Sequence, residues 1–323
     1  MKPHLLLIGG TTPRTMAAME ESFTVHAGSN VTEWDRFLDE FGPGIVAVAT
    51  NGHDGLKPEI MARLPALKVI SCYGVGYDAI DARTAARQGI IVTHTPNVLN
   101  RDVANTAILL MLAVSRRLLH DDRWVRSGKW RSVGNAPLTR SIEGSKVGIL
   151  GLGRIGETIA QKLKAAFDCE ISYHSRNEKA GAPYRYHADL EAMAREVDTL
   201  IVITPGGAAT HKLVNRKVLD ALGPQGTLIN VSRGTVVDER ELVAALLEGR
   251  LGAAGLDVFD HEPHVPEELF PLDNVVLLPH AGSATEETRR AMGDLMVENL
   301  VRMIREGTVT TPVPECAHLV ARG

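Results

Sequence analysis

Three polar side chains in the C-terminal half stand where short apolar runs end. Arg233 follows Thr227–Val231, Glu262 sits in His261-Glu-Pro263 beyond Ala253–Asp257, and His280 closes Leu278-Pro279-His280. Histidine passes a proton near neutral pH. A carboxylate on its second ring nitrogen fixes the tautomer and favours the imidazolium. An arginine offers a planar clamp for a carboxylate and polarises a carbonyl beside it. Add a hydride donor and the set can reduce a 2-keto acid. Taken singly, each has a plainer reading: the chain holds 12 histidines, and Arg233 could be an ordinary ion-pair partner. Their shared position at strand ends favours chemistry, because the carboxyl ends of strands in a wound sheet face the ligand crevice.

A place for the hydride donor is written upstream. Gly151-Leu-Gly-Arg-Ile-Gly156 follows the apolar run Lys146–Leu150 and opens an amphipathic stretch, Arg154–Phe167. Strand, glycine turn and helix in this order bind a dinucleotide. Gly151 permits the tight turn, Gly153 lets backbone approach a pyrophosphate, and Gly156 lets helix pack on strand. The pyrophosphate rests on the helix N-terminus. In NAD-binding folds the next strand ends in an acid that holds the ribose 2′-hydroxyl. Here Glu170–Tyr173 runs into His174-Ser175-Arg176-Asn177 with no acid at the tip. A serine hydroxyl and a guanidinium suit a 2′-phosphate, so NADPH/NADP is the expected coenzyme, with NADH/NAD the second choice. The competing reading makes Arg176 a solvated surface arginine.

Gly74-Val75-Gly76-Tyr77-Asp78 follows another strand, and its glycines let backbone N–H groups approach a small anion. The plainer reading is a strand-to-helix turn, with Asp81 capping the helix. Both can hold together.

The elements that position these residues alternate along the chain. Strands are expected at Leu5–Ile8, Phe23–Val25, Ile45–Ala49, Val69–Ser71 and Ile90–Thr93. Helices lie between, near Arg14–Glu21, Glu33–Phe41 (N-capped by Thr32), Pro58–Leu64 and Ala82–Gln88. Such alternation implies right-handed crossovers and parallel sheets. A long helix, Asp102–His120, is apolar on most faces and must be buried on several sides, in a dimer or between domains. Trp124 and Trp130 follow on an extending arm, and with aromatics at 4% of the chain they suggest an interface anchor. Six further strands run from Val147 to Leu278, the Rossmann count. A last helix, Glu286–Arg305, precedes a short tail.

The fold class is therefore α/β, with two doubly wound domains and a cleft between them: a flavodoxin-like substrate domain and a Rossmann coenzyme domain. Residues 1–98 and 307–323 form the first. Residues 99–285 form the second, with a dimerisation helix and arm at about 101–140. Residues 286–306 cross between them.

Composition narrows the function. A chain of 323 residues at 44% hydrophobic content can fill two cores, and a net charge of −4 gives no footing for nucleic acid. Cys72, Cys169 and Cys316 are odd in number and without metal-ligand spacing, which points to a reducing cytoplasm and no metal. The apolar run Leu5–Ile8 is too short for a signal peptide core or a membrane span.

Together these motifs resemble the D-isomer-specific 2-hydroxyacid dehydrogenases. The resemblance runs from about Pro43 to Leu300 through Gly74–Asp81, Gly151–Gly156, Asn230-Val-Ser-Arg-Gly234, Gly255-Leu-Asp-Val-Phe259, His261-Glu-Pro263 and Pro279-His-Ala-Gly-Ser283. It implies Arg233 on the substrate carboxylate and carbonyl, His280 as acid/base and Glu262 as its partner. It also implies backbone donors from Val75 and Gly76, Asp257 near the nicotinamide, and a homodimer. The coenzyme surface is then expected to comprise Gly151, Leu152, Gly153, Arg154, Ile155, Gly156, Ser175, Arg176, Asn177, Thr204, Pro205, Thr210, Val231, Ser232, Asp257 and Gly282. Asn51 is expected to line the substrate pocket beyond Val75, with Trp130 reaching in from a partner subunit.

Within the family, Tyr173-His-Ser-Arg176 is similar to the NADPH-preferring glyoxylate/hydroxypyruvate reductase branch, which includes relatives acting on hydroxyphenylpyruvate. The loop Thr204–Thr210 and Asn105, where an acid is common, depart from the pattern. Formate dehydrogenases carry Gln in place of His280. The triad excludes neither phosphite dehydrogenase nor the cofactor-sensing corepressors. The corepressors depend on peptide-docking surfaces and often on disordered tails, and no such tail is evident here. The expected substrates are small 2-keto acids, reduced to D-2-hydroxy acids, with larger ones such as (hydroxy)phenylpyruvate as the alternative.

Overall fold

A computed structural model describes residues 2–320, which divide into two units: residues 2–99 with 285–320, and residues 100–284. The last three residues of the expected tail lie outside the described residues.

The first unit opens with β1 (His4–Leu7), α1 (Pro13–Ser22), β2 (Thr24–Ala27), α2 (Trp34–Phe41), β3 (Ile45–Asn51), α3 (Pro58–Met61), β4 (Val69–Tyr73), α4 (Ala82–Arg87) and β5 (Ile91–Thr93). All strands are parallel, in the order β2-β1-β3-β4-β5, which is the flavodoxin-like winding. Leu5, Leu6 and Leu7 are all buried, as befits a strand covered on both faces. Thr12 caps α1, accepting from Thr15 N at 3.2 Å, and Pro13 opens the helix without wasting a donor. Asp81 caps α4, accepting from Thr84 N at 3.0 Å. Thr32 does not cap α2: the helix begins at Trp34, Glu33 takes the cap position, and no side chain bonds there.

The second unit begins with α5 (Asn100–Ser115), α6 (Leu118–Arg126) and α7 (Lys129–Ser132). The single helix expected over Asp102–His120 is thus broken. Arg117 takes a left-handed conformation (φ 48°), and α5 and α6 meet at a 56° bend. No glycine or proline marks the break. The expected arm is helical, with Trp124 and Trp130 on α6 and α7. Among the described residues no single helix is long and apolar enough to cross a membrane.

There follow β6 (Lys146–Leu150), α8 (Arg154–Phe167), β7 (Glu170–His174), β8 (Arg185–Tyr186), α9 (Leu190–Glu196), β9 (Thr199–Val202), α10 (Arg216–Leu222), β10 (Thr227–Asn230), α11 (Glu239–Leu247), β11 (Ala253–Leu256) and β12 (Val275–Leu277). The sheet has seven parallel strands, not six, in the order β12-β11-β10-β9-β6-β7-β8. The extra strand, β8, is two residues paired to Ser172 and Tyr173 of β7, too short to show a period. The order reverses between β6 and β9, so their carboxyl ends open the crevice of a Rossmann sheet. Gly255 lets α5 lie against β11: a Cβ there would stand 3.0 Å from Leu110 Cβ.

The chain then returns to the first unit through α12 (Glu286–Glu306) and α13 (Ala317–Val320). Met296 and Leu300 of α12 and Val309, Val313 and Cys316 of the tail join the first unit's core. Gly293 brings α12 onto α1, since a Cβ there would meet Thr15 Oγ1 at 2.2 Å. Asn299, fully buried, binds the tail: its Oδ1 accepts from Thr310 N at 2.8 Å and Thr311 N at 3.0 Å.

Candidate active site and coenzyme surface

The loops after β10, β11 and β12 carry the three candidate catalytic residues, and backbone contacts draw the loops together. Gly234 lies so close to Phe259 that a Cβ would stand 1.9 Å from its carbonyl carbon. Only glycine lets the Arg233 loop reach the loop after β11. There Phe259 N donates to Glu262 Oε1 at 3.1 Å, and the other oxygen, Oε2, stands 2.7 Å from His280 Nδ1. An ionised carboxylate only accepts, so Nδ1 carries the proton and Nε2 faces away from Glu262. The His280 side chain is 42% exposed, against 19% for Glu262. The acid is sheltered while the imidazole is reachable.

Arg233 is half-buried. Its Nη1 donates to Ser232 O at 2.8 Å, which fixes the start of the guanidinium plane. Asn230 braces the same turn: Nδ2 donates to Arg233 O at 3.1 Å, and Oδ1 accepts from Ser232 N and Oγ at 3.1 and 2.9 Å.

Asp257 holds the third loop. Its carbonyl accepts from His280 N at 2.9 Å, and its carboxylate accepts from Ala281 N at 2.6 Å and Gly282 N at 2.9 Å. These bonds fix His280 in a left-handed conformation (φ 51°) that a non-glycine residue rarely adopts. Asp257 is 1% exposed, and burial pushes its carboxyl above the ordinary 3.8 despite the two N–H donors and the neighbouring His280. The carboxylate points at backbone; that role, acting through N–H groups, has no signature in residue spacing.

The candidate coenzyme surface lies at the β6–β9 switch point. Gly151 has φ +104°, and a Cβ there would meet Ile203 O at 2.6 Å; one at Gly156 would meet Gly151 O at 2.2 Å. A Cβ at Gly153 would meet nothing within 4 Å. That open space fronts α8, whose N-cap is Gly153 and whose first turn no side chain caps. The cradle fits a pyrophosphate: a place a side chain would fill, backed by helix N–H groups. Leu152 is buried and Ile155 half-buried, while Arg154 is exposed beside the turn. At the tip of β7, Ser175 Oγ donates to Asn177 O at 2.7 Å and can rotate outward. Arg176 is exposed, and among the described residues no carboxylate pairs with it. Thr210 Oγ1 closes the 204–210 loop on Pro205 O at 2.7 Å. Val231 and Ser232 are buried under the β10 turn. Asn105 accepts from Lys162 Nζ of α8 at 2.5 Å, so it joins two helices.

The sequence model for the D-isomer-specific 2-hydroxyacid dehydrogenase NAD-binding domain matches residues 108–282. The chain belongs to the D-isomer-specific 2-hydroxyacid dehydrogenase family. It is 50% identical over 276 residues to a glyoxylate/hydroxypyruvate reductase A of Arabidopsis thaliana, covering 85% of this chain and 88% of that one. It is 48% identical over 277 residues to the hydroxyphenylpyruvate reductase of Plectranthus scutellarioides, covering 86% and 88%. Among solved structures it is similar to the NADPH-dependent glyoxylate/hydroxypyruvate reductase of Sinorhizobium meliloti in complex with NADP and malonate. The TM-score is 0.91 at 44% identity, with 98% of each chain covered.

In this dehydrogenase the first unit presents the Gly74–Gly76 turn at the end of β4. Gly74 has φ +152°, open to glycine alone. Among the described residues nothing accepts from Val75 N or Gly76 N. Asn51 is committed to its own turn. Its Oδ1 accepts from His53 N and Asp54 N, both at 2.8 Å, and its Nδ2 donates to Asp54 Oδ2 at 2.6 Å.

Proposed function

We propose that the protein reduces small 2-keto acids, glyoxylate and hydroxypyruvate first, to D-2-hydroxy acids with NADPH. The observation that carries the reading is the 2.7 Å contact of His280 Nδ1 with Glu262 Oε2, which leaves Nε2 of an exposed imidazole to deliver a proton. The likeness to glyoxylate/hydroxypyruvate reductases supports it. Bound NADPH supplies the hydride to the keto carbon. Arg233 holds the substrate carboxylate and draws electron density from the carbonyl. His280 gives its Nε2 proton to the carbonyl oxygen as negative charge builds there, and Glu262 shelters the positive charge until then. The Val75 and Gly76 amides offer two donors to a carboxylate, and Arg176 with Ser175 to a 2′-phosphate.

The chain is also proposed to act as a homodimer. Of the nine large apolar side chains that stand exposed among the described residues, seven fall between residues 109 and 138: Leu109, Leu118, Leu119, Val125, Trp130, Val133 and Leu138. So dense a strip marks an interface. Sedimentation of the purified protein tests this, and a monomer at micromolar concentration refutes it. A reducing, cytoplasmic setting is proposed on the three cysteines, all buried free thiols.

The decisive experiment is a panel of 2-keto acids from glyoxylate to phenylpyruvates, each assayed with NADPH and NADH. Highest kcat/KM for glyoxylate or hydroxypyruvate with NADPH is the expected result. A preference for hydroxyphenylpyruvate, the namesake substrate of the Plectranthus relative, replaces the small-substrate reading. Absence of turnover across the panel overturns it.

A further inference from the structure

The Gly74–Gly76 turn exposes its N–H groups because each of its three carbonyls is tied back. Gly74 O accepts from Thr95 N at 2.8 Å, Val75 O from the His94 ring at 3.0 Å, and Gly76 O from the Cys72 thiol at 3.4 Å. A peptide unit holds its C=O and N–H on opposite sides. Pinning Gly74 O therefore turns the Val75 N–H outward and pinning Val75 O turns the Gly76 N–H outward, while the Gly76 O bond steadies the end of the turn. Of the three donors, only the histidine's depends on a tautomer. Val75 O can only accept, so Nδ1 of His94 carries the proton.

His94 is itself held. Its ring stands edge-on to Tyr77, with centroids 5.5 Å apart, and 9% of the residue is exposed. Its backbone is clamped to the returning tail: His94 N donates to Thr311 O at 3.2 Å, and Thr311 Oγ1 donates to His94 O at 2.6 Å. Thr311 Oγ1 in turn accepts from buried Asn299 Nδ2 at 2.8 Å. A continuous chain of bonds thus runs from α12 through the tail and His94 to the turn.

We propose that His94 is a positioning residue for substrate binding: as the Nδ1–H tautomer it tethers Val75 O and so aims the Gly76 amide at the substrate carboxylate, beside the Val75 amide that the Thr95 bond to Gly74 O aims. The catalytic part of this rests on the reading that those amides hold the carboxylate; the tether does not.

Two measurements test it separately. With ¹⁵N-histidine labelling, the His94 ring signals, assigned by their loss in His94→Asn, should report Nδ1 protonated and Nε2 bare at pH 8. The reverse tautomer overturns the tether. In steady-state assays, His94→Leu should raise KM for the 2-keto acid by about 5- to 30-fold, the effect of leaving one buried acceptor unpaired. KM for NADPH should stay within about twofold. His94→Asn, whose amide nitrogen sits where Nδ1 does, should restore most of the loss, whereas His94→Gln, whose amide lies one atom farther out, should not. An unchanged KM in folded His94→Leu, or an Asn variant as impaired as the Leu variant, overturns the positioning role. Should His94→Leu not fold, His94→Gln, which also withdraws the donor from Val75 O, is read by the same KM split. A wild-type protein inactive on every 2-keto acid sinks the parent reading and leaves the tautomer measurement to decide the tether.

Discussion

Glu262 holds His280 with one oxygen and is itself held by the other. The side chains meet at 2.7 Å between Oε2 and Nδ1, and the other Glu262 oxygen is fixed by Phe259 N at 3.1 Å, so the carboxylate cannot swing away from the ring. His280→Ala should lower kcat for reduction by about 10²- to 10⁴-fold, the range for loss of a general acid. Glu262→Gln should cost about 10- to 100-fold, the worth of one charge-assisted hydrogen bond. Steady-state kinetics with circular dichroism checks this, and both variants should keep the wild-type melting temperature within a few degrees. Wild-type turnover in His280→Ala removes the histidine from the mechanism.

Asp257 sets where that histidine stands, through Ala281 N, Gly282 N and its own carbonyl. Burial raises its carboxyl above the ordinary 3.8. A carboxyl whose folded value is raised binds protons more readily when folded. Its contribution to stability is full below 3.8 and declines as pH rises through the raised value. Asp257→Asn removes the titration. The stability advantage of wild type over Asp257→Asn should therefore be larger at pH 4 than at pH 8, measured by urea unfolding at each. An advantage that grows with pH contradicts the sign. The same substitution should lower kcat, because Asp257 uses one oxygen for each N–H and an amide nitrogen in place of either oxygen sets a donor against a donor.

How much of this the sequence shows depends on where each interaction resides. Alternating apolar runs disclose both sheets, and the ends of β10, β11 and β12 disclose Arg233, Glu262 and His280, because those signals lie in side-chain type and period. The bend at Arg117 carries no glycine or proline, and β8 is two residues long, so neither has a local signature. Asp257 and His94 act on backbone N–H and C=O groups far along the chain. Such bonds depend on the folded backbone and leave no spacing to read. Asn51 reads as a pocket residue from its place after β3, yet its amide closes its own turn.

Arg176 stands exposed at the tip of β7 without an acidic partner among the described residues. If it holds the 2′-phosphate, Arg176→Ala should raise KM for NADPH by about 10- to 100-fold, the span of a charge-assisted pair. KM for NADH should stay within about twofold. Arg176→Asp should go further and invert the preference, since a carboxylate repels the phosphate and accepts from a ribose hydroxyl. Unchanged coenzyme discrimination in both variants assigns the arginine to solvent.

The glycines of the coenzyme turn separate binding from folding. A side chain at Gly153 projects into open space, whereas one at Gly156 drives into Gly151 O at 2.2 Å. Gly153→Val should therefore leave the melting temperature almost unchanged and weaken NADPH binding by at least about tenfold, since the added methyls occupy the approach to the helix N-terminus. Gly156→Val should destabilise the fold by roughly 1–3 kcal/mol through overpacking of α8 on β6. Thermal unfolding with and without NADPH distinguishes the two: Gly153→Val should melt like wild type alone and gain little from the coenzyme, while Gly156→Val should melt early in both. A Gly153→Val protein stabilised by NADPH as fully as wild type places the pyrophosphate elsewhere.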